Sequence, residues 1–79
     1  MKEPINNIYQ QLVKHFGNQV KTAKALGVKQ PSVSGWVRGR KKMSELVAMQ
    51  AQKATKGEFR ATDLCPSLKE IENLYALKN

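Results

Sequence analysis

The apolar positions of the chain repeat at the spacing of α-helices. The clearest run recurs at i, i+3, i+4, i+7, i+8 and i+11 and comprises Ile5, Ile8, Tyr9, Leu12, Val13 and Phe16. Pro4 suits the first turn of a helix because its φ is preset and its missing N–H would have no helical partner. Gly17 suits the position after the last turn. The pattern therefore predicts a first helix over residues 5–16.

Two further helices are predicted on either side of Gly27. The first follows the N-cap residue Asn18 and directs three residues inward: Val20, Ala23 and Leu26. The second begins near Pro31, ends at Gly39 and has a short apolar face: Val33, Trp36 and Val37. A short turn between helices that meet at a sharp angle needs a residue that tolerates positive φ, and Gly27 is such a residue. This spacing predicts a helix-turn-helix.

A fourth helix is predicted after Ser44, which can act as its N-cap. It runs to about Thr55, and Gly57 closes it. Its predicted inward residues are Val47, Ala51 and Ala54, with Leu46 alongside. In the following stretch Phe59 and Leu64 are expected to contact the core. This stretch is predicted to form either a short helical turn after residue 62 or a short extended piece.

The last predicted helix begins at Ser67. Glu70 follows Ser67 by three residues, which is the spacing of a capping box. Its broad apolar face comprises Leu68, Ile71, Leu74, Tyr75 and Leu77. Since no pair of alternating strands flanks a tight Asn-Gly or Asp-Gly turn, we expect an all-α fold, a compact bundle of five or six short helices. We expect residues 1–79 to form a single domain, with 67–79 as a candidate dimerisation helix.

The positive charge is concentrated in one segment. The chain has a net charge of +8, and residues 14–42 contain no Asp or Glu. The basic residues of that segment are Lys14, Lys21, Lys24, Lys29, Arg38, Arg40, Lys41 and Lys42. A solubilising surface normally mixes both signs of charge, whereas a segment of one sign indicates a polyanionic partner. Nucleic acid is the obvious candidate.

The remaining composition argues against several other classes of protein. There is no long apolar run, so we expect neither a signal peptide nor a membrane span. We expect a cytoplasmic location, with the protein on the bacterial nucleoid when it is bound to DNA. His15 and Cys65 are a poor catalytic pair at this separation, and metal-ligand spacings and phosphate-binding glycine loops are missing. We therefore expect no enzymatic activity, cofactor, metal or small-molecule ligand.

Residues 15–38 resemble a known family. They read His-Phe-Gly-Asn-Gln, then Ala-Lys-Ala-Leu-Gly-Val, then Val-Ser-Gly-Trp, and they are similar to the Cro repressors of lambdoid phages and their prophage relatives. Residues 46–66, with Ala-Thr-Lys-Gly ahead of Asp-Leu-Cys-Pro, also look like Cro-like and YdaS-type regulators. The resemblance implies a lambda-repressor-like DNA-binding domain. It also implies a repressor that binds a pseudo-palindromic operator, usually as a homodimer, and occludes a promoter.

The polar face of the third helix supplies the candidate DNA contacts. Candidates for base contact in the major groove of double-stranded DNA are Gln30, Ser32, Ser34 and Arg38. Candidates for phosphate contact are Gln19, Lys21, Lys24, Lys29, Arg40, Lys41 and Lys42. Trp36 is expected in the core rather than as a platform for base stacking, and Tyr9 and Phe16 are assigned to the core by the same helical spacing.

Two alternative functions remain open from the sequence. A DNA-binding antitoxin would use the helix after Ser67 to capture a partner protein, whereas a repressor would use it to bind a second copy. Deletion of that helix should therefore abolish dimerisation in a repressor but spare DNA binding in an antitoxin. A non-specific nucleic-acid binder would have similar affinity for all duplexes and a steep dependence on salt.

Overall fold

The computed structural model describes residues 7–78 of the chain, with side chains up to Leu74. Six helices lie in this part, and no strand: α1 (Ile8–Phe16), α2 (Gln19–Leu26), α3 (Gln30–Arg38), α4 (Glu45–Ala54), α5 (Ala61–Leu64) and α6 (Pro66–Lys78). The all-α prediction is confirmed. Pro4 and Ile5, and the side chains of Tyr75 and Leu77, lie outside the described residues. Among the described helices, none is long and apolar enough to cross a membrane.

The helices form two compact units. The first ends at Lys41 and the second begins at Lys42. In the first unit α2 packs against both α1 and α3, and α1 also contacts α3. In the second unit α5 packs against α4 and α6. The assignment of the whole chain to a single domain stays a prediction.

The first helix begins later than its apolar stripe predicts. Asn7 has an extended backbone, and its Oδ1 accepts a hydrogen bond from the Gln10 N–H at 2.8 Å, so α1 begins at Ile8. An N-cap of this kind satisfies one of the backbone donors that a helix start leaves unpaired. Leu12 is fully buried, whereas Tyr9 and Phe16 are half-buried, so their predicted place in the core is only partly confirmed.

The second helix presents a different residue to the core from the one predicted. Val20 is 56% exposed, while Thr22 is fully buried. The Thr22 hydroxyl donates to the Asn18 backbone carbonyl one turn earlier, at 2.8 Å. Because this bond stays within the helix, the buried hydroxyl is satisfied without any partner from another element. The predicted N-cap is confirmed, since the Asn18 side chain accepts from the Lys21 N–H at 2.8 Å.

In the second unit, α4 buries small side chains. Ala48 and Ala51 are fully buried, whereas Ala54, a predicted inward residue, is exposed. Val47 is half-buried and Leu46 is 67% exposed. The Ser44 hydroxyl accepts from the Val47 N–H at 3.3 Å, so the predicted N-cap is confirmed. The short α5 settles the open choice between a helical turn and an extended piece.

The capping box predicted at the start of the last helix is wrong. The helix begins at Pro66, so Ser67 already lies inside its first turn. The Ser67 hydroxyl instead donates to the Glu45 carboxylate at 2.8 Å and lies 3.2 Å from the Cys65 sulfur. This bond lowers the pKa of Glu45 below its ordinary value, and the residue's own backbone N–H contributes to the same effect. Ser67 therefore links the start of α6 to the start of α4.

Candidate nucleic-acid interface

The turn between α2 and α3 has the geometry of a helix-turn-helix. Gly27 adopts the left-handed conformation with φ of 69°, and its N–H bonds to the carbonyls of Ala23 and Lys24. The Val28 N–H then bonds to the Ala23 carbonyl at 2.9 Å. These bonds satisfy the last carbonyls of α2 and direct the chain into α3 within three residues. Gly27 therefore acts as predicted.

The buried side of α3 determines which of its faces is exposed. Val33 is fully buried and Trp36 is 3% exposed, so the core position predicted for Trp36 is confirmed. Leu26 is buried on α2, and the Tyr9 ring from α1 lies 6.5 Å from the Trp36 ring, centroid to centroid. Rings at this distance and tilt make a favourable aromatic contact. With Val33 and Trp36 facing inward, the opposite side of α3 faces solvent.

Three of the four candidate base contacts form one stripe on that exposed side. Gln30, Ser34 and Arg38 follow one another at four-residue intervals, so they share a face of the helix. Gln30 and Arg38 are exposed and Ser34 is half-buried. Ser32 lies two residues from Gln30 and Ser34, which places it at the other edge of the exposed face. The structure therefore brings three candidates together and sets the fourth apart.

A lysine from beyond the helix lies across the same face. Gly39 ends α3 with φ of 77°, and the chain then turns back so that the N–H groups of Arg40 and Lys41 both bond to the Gly35 carbonyl. The Lys41 ammonium donates to the Ser32 hydroxyl at 3.1 Å. Lys41 was expected as one of several candidate phosphate contacts, and nothing in the sequence indicated that its side chain would extend back along α3.

The candidate phosphate contacts are distributed over both units. Gln19 is the first residue of α2 and is half-buried. Lys29 is the residue before α3. The remaining candidates are exposed: Lys21, Lys24, Arg40, Lys41 and Lys42. Of these, only Lys42 belongs to the second unit. Gln19 lies at the N-terminus of α2, the positive end of the helix dipole, which suits an anion.

The first unit is positively charged throughout its described part. Residues 7–41 contain seven Lys and Arg residues and no Asp or Glu. Within residues 7–41, therefore, no carboxylate neutralises a lysine beside the exposed face of α3. Such a surface attracts polyanions and raises their association rate. The arrangement thus combines a polar helix face with a positive potential around it.

Comparison with known proteins assigns the chain to a family. The profile of the family described as "DNA-binding transcriptional regulator Cro" matches residues 9–71. The chain belongs to the Cro family. It is 54% identical over 63 residues to the "Regulatory protein cro" of Pseudomonas phage D3, an alignment that covers 80% of this chain and 86% of the relative. No solved structure matches significantly.

Membership of the Cro family establishes the coarse function. The protein is a DNA-binding transcriptional regulator of the Cro type, as the resemblance in residues 15–38 implied. The matched region spans the helix-turn-helix and most of the second unit. The antitoxin alternative gains no support, because both the family and the phage relative are described as regulators.

Proposed function

We propose that this Cro family member represses transcription by binding a pseudo-palindromic operator as a homodimer. The observation that supports the proposal most strongly is the exposed polar face of α3 within residues 7–41, which contain no Asp or Glu. A recognition helix of about this length enters the major groove and contacts base edges with its N-terminal residues. A dimer would place two such helices in successive major grooves, about 34–36 Å apart.

Gln30 is the residue best placed to read a base directly. It is exposed at the first position of α3, and its side-chain amide can donate to and accept from adenine through two hydrogen bonds. Ser34 and Arg38 continue the same stripe and are proposed as further base contacts, with Arg38 suited to guanine. Lys21, Lys24, Lys29, Arg40 and Lys42, together with Gln19, are proposed to contact phosphates.

Selection of bound duplexes from a random pool at physiological salt tests the proposal. We expect an inverted-repeat consensus whose half-site centres are separated by about 10 base pairs or a multiple of that distance. Recovery of duplexes without any common sequence would contradict specific recognition and favour non-specific binding. Salt must be held constant throughout, because affinity for DNA falls steeply with ionic strength.

The Gln30→Ala variant tests the role of the first position of α3. Its affinity for the selected duplex should fall by about 1–3 kcal/mol, while its affinity for random duplexes should change little. The matched control is Gln50→Ala, which removes the same amide from an exposed position on α4 in the second unit. Equal losses of Gln30→Ala on both duplexes would show that Gln30 contacts the backbone and not a base.

Exposed apolar side chains in the second unit support the proposed homodimer. Met49 on α4 is 58% exposed, and Ile71 and Leu74 on α6 are 44% and 64% exposed. Met49, Leu68 and Ile71 line an open groove of about 670 Å³ formed by α4, α5 and α6. A chain of this size buries a limited core, so burial of this groove against a second copy would stabilise the folded form by mass action.

Molecular mass in solution, from light scattering during gel filtration, tests the homodimer. We expect a dimer for the natural chain and a shift to monomer for Ile71→Lys. Gln50→Lys adds the same charge to an exposed polar position of α4 and should leave the dimer intact. A monomer for the natural chain at concentrations that saturate the operator would contradict the proposal.

Repression would then follow from occlusion of the promoter by the bound dimer. Regulation would depend on protein concentration, and the protein would act in the bacterial cytoplasm by binding, without catalysing a reaction. A reporter gene placed under the selected duplex tests this step. Its expression should fall as the protein accumulates, and Gln30→Ala should restore it.

A further inference from the structure

The side chain of Lys41 occupies a position on α3 that its place in the sequence does not suggest. Lys41 follows the last residue of α3 by three positions, yet its ammonium lies 3.1 Å from the hydroxyl of Ser32, in the first turn of that helix. The side chain therefore runs backwards along the helix, from its C-terminal end towards its N-terminal end.

Gly35 makes this path possible. A Cβ built on Gly35 would lie 2.8 Å from the Cβ of Lys41 and 3.5 Å from its Cδ. Because a Cβ is attached directly to the backbone, Lys41 could avoid such a contact only by moving its main chain. The main chain is itself held in place, since the N–H groups of Arg40 and Lys41 bond to the Gly35 carbonyl at 2.8 and 3.2 Å. Gly35 thus provides both the space for the lysine stem and its anchor.

The Lys41–Ser32 pair presents hydrogen-bond donors to the solvent. A serine hydroxyl alone can donate or accept, so it suits several base edges. When Ser32 accepts from Lys41, its O–H hydrogen is still available to donate. The ammonium has three N–H donors and no acceptor, and two of them remain for another partner. The pair is therefore a cluster of donors, and residues 7–41 contain no carboxylate that would compete for them.

We propose that Lys41, supported by Gly35 and Ser32, is a base-reading residue selective for guanine, and not one of the phosphate contacts. The major-groove edge of guanine carries two adjacent acceptors, N7 and O6, which match a cluster of donors. The N-terminal part of a recognition helix is the part that contacts base edges, and the ammonium lies there. This inference rests on the proposed insertion of α3 into the major groove and deepens it.

Lys41→Met tests the inference, because it keeps the length of the stem and removes the ammonium. Binding is measured by fluorescence anisotropy on the selected duplex and on duplexes in which each base pair of a half-site is replaced in turn. We expect affinity for the selected duplex to fall roughly ten- to a hundred-fold, with the preference for guanine lost at one position. Lys42→Met, the neighbouring exposed lysine, is the matched control and should weaken binding to all duplexes by one common factor.

Two further variants test the supporting residues. Gly35→Ala retains the lysine but displaces it, so it should relax preference at the same base pair as Lys41→Met, while circular dichroism shows that the helices persist. The losses caused by Ser32→Ala and Lys41→Met should not multiply in the double variant, because both act on one pair.

The outcomes separate this inference from the proposed function. If Lys41→Met weakens every duplex equally and lowers the salt slope by about one, Lys41 contacts a phosphate and this inference alone is overturned. The same holds if Gly35→Ala binds with unchanged affinity and selectivity. If the natural chain selects no sequence from the random pool, both this inference and the proposed function are overturned.

Discussion

The Asn7 side chain holds two elements of the first unit at once, and Asn7→Asp separates these two contributions. Its Oδ1 caps α1 by accepting from the Gln10 N–H at 2.8 Å. Its Nδ2 donates to the Val37 carbonyl at 3.1 Å, across thirty residues of sequence. Val37 lies in the last turn of α3, where carbonyls lack helical partners, and the Lys41 N–H bonds to Gly35 instead.

The magnitude follows from these contacts. Asp and Asn are about equally good N-caps, so the cap on α1 should survive the substitution. The lost bond to Val37 costs about 1 kcal/mol. A carboxylate gains roughly 0.3–1 kcal/mol at the start of α1 and loses a similar amount beside the negative end of α3, so these dipole effects nearly cancel. We therefore expect Asn7→Asp to lower the free energy of unfolding by about 1 kcal/mol, or the melting temperature by roughly 4–8 °C.

Thermal and urea denaturation followed by circular dichroism measure this loss. The matched control is Asn18→Asp, because Asn18 caps α2 through the same atom and, within residues 7–78, makes no bond to another helix. We expect Asn18→Asp to be neutral or slightly stabilising. Equal stability of the two Asp variants would refute the role assigned to the Val37 contact.

Substitutions at three further positions test the local chemistry of the structure. Thr22→Val should change the free energy of unfolding by at most about 1 kcal/mol, because the Asn18 carbonyl keeps its bond to the backbone N–H of residue 22. Thr22→Ala should cost about 1–2 kcal/mol because it also leaves a cavity, and urea denaturation that ranks the two variants otherwise would contradict the burial of Thr22. Gly27→Ala should cost about 1–2 kcal/mol of stability through φ alone, since an added Cβ meets nothing within 4 Å, and Gly27→Asn should cost less in the same assay. Ser67→Ala should raise the pKa of Glu45 toward its ordinary value of 4.5 in an NMR titration, and an unchanged pKa would exclude the Ser67 bond as its cause. Because the pKa of Glu45 is lowered in the folded chain, its contribution to stability is present above pH 4.5 and disappears as the pH falls below that value, and Ser67→Ala should weaken this acid dependence.

The order of elements and the exposed polar face of α3 were predictable from the sequence. Helix ends depend on a few neighbouring residues, so the Asn18 and Ser44 caps and the left-handed Gly27 could be recognised locally. Helical periodicity places Val33 and Trp36 on the buried side of α3 and the polar residues of that helix on its exposed side. The concentration of basic residues in 14–42 is likewise a property of the sequence, and it indicated a polyanionic partner.

Only the tertiary structure decided how each helix is rotated and which distant side chains meet. Periodicity identifies an apolar stripe, but the neighbouring helices determine which residues at its edge are covered, so Thr22 is buried and Val20 is exposed. Polar pairs far apart in sequence leave no local pattern. The bond from Ser67 to Glu45 could therefore not be predicted, whereas the spacing of Ser67 and Glu70 suggested a capping box. The path of Lys41 over Gly35 is of the same kind, since a glycine within a helix shows a need for space only once the chain that crosses it is in place.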